Sequence, residues 1–454
     1  MRNLKWFFPL VLTGFTLAVN SVAQDINTNV PEWLTRPLSL ADAMNTALQQ
    51  NAAILEAKND LEASHGVVVQ TRAIALPHVQ ATGQYADEEE TLLQKIPIPG
   101  FYYPIPHQNW NAGIQIVQDV YMGGRLVAAF KAADATEKQA IAQYQTSVAD
   151  ALLNVRIAYY DVLLAAQEVI VHEASVKLLE KELDDQQHRL NAGTVPKFNV
   201  LRAEVAVANE RPSLIQARNS FRIAKNNLAN VLGYNLPRNV WEDIPFNLTD
   251  GFDTAPFQIN LPDAIQQALT QRSELIALRK DMELQNLNIV DAKSGYKPTV
   301  SAFAGYNWVN SEFSSDPSDE YNGWNAGAQL TWNIFDGALT FGKVKQAKAQ
   351  YDKSKTAVDD EARQIELQVR TAYSDFIQAR ETLDSQLKVQ EEAEEALREA
   401  RQRAEAGTGT QLDVLDAETS LTQARTTQIE ALHDYSTARA RYDRAIGSDL
   451  AAVK

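Results

Sequence analysis

Two carboxylates, Asp413 and Asp416, are the residues best placed to do chemistry; they sit in the run Thr410-Gln411-Leu412-Asp413-Val414-Leu415-Asp416-Ala417. On a helix this spacing puts both side chains on one face, where they concentrate negative charge and attract cations. The competing reading is an ordinary solvated helix face, natural in a chain of net charge -16. Nothing nearby completes a reactive set. The chain has no cysteine, which excludes disulfides, thiolate metal sites, a cysteine nucleophile and lipid attachment through an N-terminal cysteine. Its six histidines are scattered without a pair at ligand spacing. There is no glycine-rich phosphate loop and no nucleophile–base–carboxylate set. The acidic balance disfavours nucleic acid as a partner. We therefore expect no enzyme, no cofactor and no metal centre, only charge that the rest of the chain must position.

That chain is written twice. Trp110-Asn111-Ala112-Gly113 returns as Trp324-Asn325-Ala326-Gly327. Without a gap, Arg156, Ala158, Tyr159 and Asp161 then align with Arg370, Ala372, Tyr373 and Asp375. The register persists through Ala192-Gly193-Thr194 against Ala406-Gly407-Thr408, and ends at Gly233 against Gly447. Upstream, after one length change, Asp42, Ala47, Leu48, Pro77 and Tyr85 match Asp263, Ala268, Leu269, Pro298 and Tyr306. Each half is then the same supersecondary unit, which must bury its apolar face against the other half or against further copies.

The expected order is a signal peptide at 1–23, an N-terminal extension at 24–37, a first repeat at 38–233, a linker at 234–260, a second repeat at 261–447 and a tail at 448–454. The signal rests on basic Arg2 and Lys5, an apolar run from Trp6 to Val19 and small residues at Ser21-Val22-Ala23 before Gln24. The alternative, a membrane anchor, requires ~20 apolar residues, more than this run offers. The mature chain is exported on this reading. No other stretch approaches the length of a spanning helix, so any crossing of a bilayer is made by strands.

Four segments alternate as strands do: 78–87 and 109–120 in the first half, 299–309 and 323–334 in the second. From Trp324 to Ile334 the even positions are Trp, Ala, Ala, Leu, Trp and Ile, while Asn325, Gly327, Gln329, Thr331 and Asn333 share the other face. Polar faces rich in Asn, Gln and Gly, nearly free of Lys and Glu, distinguish these from a solvated sheet and match outer-membrane strands of ~9–11 residues. Tyr85, Trp110, Tyr121, Tyr306, Trp308, Tyr321, Trp324, Trp332 and Phe335 cluster where the membrane interfaces would lie. Four strands leave two open edges, whose unpaired backbone groups would cost tens of kcal/mol in hydrocarbon at several kcal/mol each. Several copies must share one barrel. Eight strands give a bore that side chains plug, whereas twelve leave a channel, so a homotrimer is expected.

The rest reads as helix. A first helix spans about 40–76, and a very long one covers 124–192, with no Gly or Pro from Leu126 to Ala192. Its second-half counterpart covers 340–406. At ~1.5 Å per residue each is roughly 100 Å long. Gly193-Thr194 and Gly407-Thr408 stop them, and return helices at 197–232 and 411–446 follow. Leu421, Ala424, Gln428, Ala431, Tyr435, Ala438, Tyr442 and Ala445 repeat at heptad spacing, as do Val207, Leu214, Ala217, Phe221, Ala224, Leu228 and Val231, which makes a coiled-coil seam. Pro212 is expected to kink or break the first return helix. The fold class is thus a duplicated, mixed helical and transmembrane β architecture: a twelve-stranded trimeric barrel continued by a helical tube. A coiled-coil scaffold without a pore uses the same helices and is the alternative.

This plan resembles the TolC family of outer-membrane efflux ducts across essentially the whole mature chain. The likeness is carried by the paired Leu-x-x-Ala-x-x-x-Ala-Leu starts at Leu40 and Leu261, the Pro77 and Pro298 strand entries, the two Ala-Gly-Thr tips and the Thr410–Ala417 run. The resemblance implies a trimer in the outer membrane of a Gram-negative bacterium, with a large periplasmic tunnel. It also implies a passive duct for drugs, small molecules or secreted proteins, docked at its helix tips to a periplasmic adaptor and fed by an inner-membrane pump. By similarity, Asp413 and Asp416 occupy the inward carboxylate positions of the periplasmic gate, and six of them in a trimer would share a narrow throat. Gly193, Thr194, Gly407, Thr408 and Gly409 are the docking tips by the same likeness. Asn199, Arg202, Ala404 and Gly409 depart from the closing network of some relatives, so a closed state here needs other contacts. Cargo, adaptor and pump class are not encoded in any motif.

Overall fold

A computed structural model describes residues 37–89, 107–234, 244–255, 257–311, 316 and 318–448. The signal segment, nearly all of the 24–37 extension, most of the loop after 87, part of the inter-repeat linker and the tail beyond 448 lie outside the described residues. In chain order the elements are β1 (Pro37–Leu38), α1 (Leu40–Gln50), α2 (Ala52–Ala73), β2 (His78–Asp87), β3 (Gln108–Met122), α3 (Arg125–Asn191) and α4 (Lys197–Val231). The second half follows with β4 (Asn247–Leu248), α5 (Leu261–Gln271), α6 (Ser273–Ser294), β5 (Thr299–Asn310), β6 (Glu320–Thr331), α7 (Leu339–Glu405) and α8 (Gln411–Ile446).

The helix expected over 40–76 is two helices. Asn51 takes an extended conformation (φ -62°, ψ 127°) and its Oδ1 accepts from the Ala53 and Ile54 N–H groups, starting α2 afresh. Its Nδ2 meanwhile donates to the carbonyl of Val231 at 2.6 Å, tying the corner to the end of α4. The second half makes the same corner at Arg272 (φ -60°, ψ 121°), whose Nη1 donates to the Ala445 carbonyl at 3.3 Å near the end of α8. The duplication thus preserves the contact while changing the side chain that makes it.

Helices α3 and α7 are 67 residues each, about 100 Å at ~1.5 Å per residue. Each leaves the sheet through left-handed residues: Gly123 and Gly124 (φ 65° and 96°) before α3, Gly337 and Ala338 (φ 67° and 69°) before α7. Ala338 holds this conformation at a cost of about 1–2 kcal/mol that glycine avoids. Helix α4 continues through Pro212 as one helix, so of the expected kink or break the break does not occur. Buried Val207 and Ala217 flank the proline, and their packing outweighs the one intrahelical bond it forfeits.

The core lies at a waist where both halves meet. Tyr159, Tyr160, Val155 and Val162 of α3 pack with Leu228 and Leu232, Ala43 and Ala47 of α1, and Ala440 of α8. Ile365, Val369 and Tyr442 pack equivalently with Ala264 and Ala268 of α5. The linker is held there: β1 pairs in parallel with β4, Tyr159 donates to the Leu38 carbonyl at 3.0 Å, and the Asp250 N–H donates to the Tyr159 hydroxyl at 3.2 Å. Phe257 lies edge-on to Phe376 and Tyr442, with ring centres at 6.1 and 5.9 Å.

The four long strands form one antiparallel sheet in the order β2-β3-β5-β6. Strand β6 ends at Thr331, not at 334. Thr331 pairs with Thr299, and the residue before Thr299 is Pro298, which has no N–H to extend the ladder. Trp332, Ile334 and Phe335 therefore lie in the connection to α7.

Candidate functional site: hairpin tips and sheet faces

The α3–α4 and α7–α8 hairpins turn in the same way. After α3, the Gly193 N–H donates to Leu190 O at 2.9 Å and the Thr194 N–H to Arg189 O at 2.9 Å, the paired bonds that let a helix end on a left-handed residue. After α7, the Gly407 N–H donates to Ala404 O at 3.3 Å and the Thr408 N–H to Arg403 O at 2.9 Å. Gly193 and Gly407 have φ of 74° and 76°, and a Cβ at either would meet open space. Their need for glycine is therefore one of backbone conformation, not of crowding. Gly409 is the reverse: it donates to Arg403 O at 2.9 Å, and a Cβ there would lie 3.0 Å from the Arg403 Cβ.

Asp413 and Asp416 both fall in the first turns of α8, exposed on its surface, but their roles separate. Asp413 Oδ2 accepts from the Thr410 N–H and hydroxyl, each at 2.8 Å, while the Asp413 N–H donates to Thr410 Oγ1 at 3.2 Å. This reciprocal cap starts the helix, and the Thr-x-x-Asp spacing announces it. Those Thr410 bonds, aided by the charge of Arg403, hold the Asp413 carboxyl below its ordinary value. Asp416 has no side-chain hydrogen bond among the described residues and stands free. The two hairpins touch just inside the tips: Gln411 Nε2 donates to the Asn199 carbonyl at 3.2 Å, Thr422 Oγ1 to Ser175 Oγ at 3.1 Å, and Leu415 packs on Leu179 and Val207.

Charged groups that spacing alone did not single out lie between these helices and at the waist. Glu418 is 3% exposed and accepts from Arg401 Nη2 at 3.0 Å. At the waist, Glu274 receives both Arg272 and Arg444, and Arg444 also reaches Asp150 at 2.7 Å. Burial pushes the Glu274 carboxyl up, but hydrogen bonds from Arg272 and Arg444 outweigh it and bring it down to about 2. Among the described residues there is no group of three or more His, Asp or Glu side chains arranged to hold a metal, and no helix long and apolar enough to cross a membrane.

The sheet separates its two faces by register. Gln84, Asn111, Gly113, Gln115, Gly305, Asn307, Asn325 and Gln329 share one face, where Asn307 Nδ2 donates to Asn325 Oδ1 at 3.1 Å. Val79, Ala81, Ile114, Ile116, Val300, Ala302, Ala328 and Leu330 share the other. On that apolar face Tyr85 opposes Trp110, Tyr306 opposes Trp324, and the Tyr306 and Trp308 rings lie 4.8 Å apart. A β-bulge between Asp119 and Tyr121 sets Tyr121 opposite Val300, so it joins the apolar face near the helices against the simple alternation. Trp332 and Phe335 stand exposed at that same end, with Trp332 Nε1 donating to Tyr296 O at 3.2 Å. Tyr321 departs from the expected interface set: it opposes Val309 and shares the face of Gly323 and Asn325. The two aromatic rows are about eight residues apart, roughly 27 Å of strand at ~3.4 Å per residue, comparable to an apolar band of about 25 Å.

Residues 43–234 and 264–448 match the model of a family described as outer membrane efflux protein, one block on each repeat. The chain is 24% identical over 424 residues to outer membrane protein TolC of Vibrio cholerae, covering 90% of this chain and 91% of that protein. It is 21% identical over 392 residues to proteases secretion protein PrtF of Dickeya chrysanthemi, covering 86% and 83%. The Campylobacter jejuni CmeC outer membrane channel superposes with a TM-score of 0.76 over 90% of this chain and 86% of that one, at 14% identity, a likeness of fold.

Proposed function

We infer how the molecule works from a settled premise: the chain belongs to the outer membrane efflux protein family, channels of the outer membrane that serve efflux and secretion. Three copies close one twelve-stranded barrel. The observation that carries this reading is the sheet itself, apolar and aromatic on one face, amide- and glycine-lined on the other, with β2 and β6 left as open edges. In lipid those edges are tolerable only when the β6 edge of one copy meets the β2 edge of the next. The helices support it, because Phe198, Leu201, Val205, Ile215 and Ile223 form an exposed apolar stripe along α4 that a neighbouring copy would cover. A pore-free scaffold would have no use for the lipid-type face.

The duct acts without a reaction of its own. Cargo enters through an inner-membrane pump and a periplasmic adaptor that docks on the tips at Gly193, Thr194, Gly407, Thr408 and Gly409. At the gate, Asp416 supplies the free charge facing the axis, and Asp413 fixes the helix that carries it. Planar-bilayer conductance tests this division. Asp416→Asn is expected to weaken block by multivalent cations more than Asp413→Asn does; unchanged block in both variants would remove the acidic throat.

A further inference from the structure

Between the waist and the tips, the two hairpins are joined by a histidine. His433 of α8 sets Nε2 at 2.8 Å from Asp161 Oδ1 of α3 and Nδ1 at 3.1 Å from Asp434 Oδ1 of its own helix. An ionised carboxylate only accepts, and a neutral imidazole carries a single N–H. The ring can therefore donate to both carboxylates only as the cation. A third neighbour suits the neutral ring: the hydroxyl of buried Thr437, one turn along α8, lies 3.4 Å from Nε2 and can donate to it. The His433 side chain is 15% exposed and that of Asp161 48%, so protons reach a contact that solvent only partly screens.

Two turns along α3 from Asp161, Glu168 meets a like charge from Glu430 of α8, offset by His172 and His433. His172 Nδ1 in turn lies 2.8 Å from Glu210 Oε1 of α4. The other charges around this seam are engaged elsewhere. Arg156 of α3 pairs with Asp443, Arg218 of α4 with Glu173, and Arg439 with Asp253 of the linker. Arg380 and Asp384 of α7 act on Tyr435, which lies on another side of α8 from His433. Nearer the tips the bonds between the hairpins are neutral ones, Thr422 to Ser175 and Gln411 to the Asn199 carbonyl.

We propose that His433 is a proton-operated clasp between the two hairpins. As a cation it holds Asp161 of α3 and Asp434 together. As a neutral ring it keeps the Asp434 bond through Nδ1–H, accepts from Thr437 at Nε2 and releases Asp161, so that all its bonds lie within α8. Burial lowers the imidazole, but the bonds to Asp161 and Asp434 outweigh it, so release comes as pH rises through a value above 6.5. Glu168 acts in the same direction. Burial first and then Glu430 raise its carboxyl against the pull of the histidines, and its ionisation with rising pH sets it against Glu430. The seam is thus tight in acid and loosens as pH rises, which frees the α7–α8 hairpin to swing from α3–α4 at the gate. That last consequence rests on the proposed duct. The clasp does not, because every group in it comes from one protomer.

The chain has no cysteine, so a Ser175→Cys/Thr422→Cys pair, placed where the two hydroxyl oxygens lie 3.1 Å apart on the tip side of the seam, reports how often the hairpins meet. The full-length protein in detergent is equilibrated with reduced and oxidised glutathione at about pH 5.5 and about pH 8.5, on either side of the histidine range. The crosslinking constant is compared with that of His433→Gln and Asp161→Asn at the same pH, which cancels the ionisation of the thiols. At acid pH the intact clasp should raise the constant about two- to fivefold over either variant, as expected of a half-exposed ion pair. At alkaline pH all three should agree. Asp161→Asn, at the more exposed end, decides the matter if His433→Gln fails to fold. Equal constants at acid pH, or the same ratio at both, overturn the clasp. In planar bilayers the open probability should rise with pH in the parent chain and stay level in Asp161→Asn. A pH-dependent crosslink with pH-independent opening overturns the link to the gate, and a pH-dependent crosslink with no current at any pH overturns the duct while supporting the clasp.

Discussion

Replacing Glu274 by glutamine should destabilise the waist by about 3 kcal/mol and remove part of its acid sensitivity. The carboxyl stands at about 2 in the folded chain against an ordinary 4.5. At ~1.4 kcal/mol per pK unit, its ionised form contributes about 3 kcal/mol to folding. Because the folded value is depressed, that contribution is complete above pH 4.5 and is lost as pH falls through about 2. The variant leaves Arg272 and Arg444 buried, with side chains 7% and 9% exposed. Arg272 keeps Gln368 and the Ala445 carbonyl, and Arg444 keeps Asp150. Breaking one partner of a buried ion pair costs about 3–5 kcal/mol, and these remaining contacts place the loss near the lower end. Denaturant titration of the purified protein, followed by helical circular dichroism across acid pH, reads both effects. The wild type should lose stability between pH 4.5 and about 2, and the variant should start lower and lose less. Equal stability at neutral pH with equal acid slopes would refute the assignment of Glu274 as the waist's central acceptor.

Other perturbations test the remaining parts. Ala328→Arg, on the apolar face midway between Trp324 and Trp332, should cost about 2–4 kcal/mol near the membrane midplane and lower assembly yield in outer-membrane fractions, whereas Gln329→Arg on the opposite face should assemble normally and shift ion selectivity. Gly407→Val forces a β-branched residue into φ 76°, with strain of about 1–2 kcal/mol. Wild-type export from cells holding an intact Gly407→Val trimer would show that docking does not use this turn. Burial lowers the proton affinity of His433, but hydrogen bonds to Asp161 and Asp434 outweigh it and raise the imidazole above 6.5. Its contribution is therefore full below that value and fades as pH rises through the raised one. His433→Gln should flatten the stability–pH curve there, and an unchanged curve would free His433 of this role.

Period and repetition made the frame legible in the sequence, and long-range contacts were invisible to them. The Gly193 and Gly407 stops could be read because a left-handed helix end has a short local signature. Alternation marked the sheet faces but gave no warning of the bulge that turns Tyr121, since parity fails wherever one residue is inserted; Tyr321 lies before the 323–334 segment, and only the earlier start of β6 at Glu320 sets it on the amide face. The corner at Asn51 was missed because its partner, the Val231 carbonyl, lies 180 residues away. The Thr410–Asp413 cap was written in the Thr-x-x-Asp spacing, but the same carboxylate also fitted a pore charge, and only the hydrogen bonds distinguish Asp413 from Asp416. Glu418 and Arg401, 17 residues apart across a hairpin turn, had no local mark at all.

Native mass spectrometry of the complex released from outer membranes in detergent bears most directly on how the sheet edges are satisfied. Three chains in one particle are predicted, each lending four strands. A single chain that stays dispersed in water without detergent would contradict the shared barrel, and with it the duct.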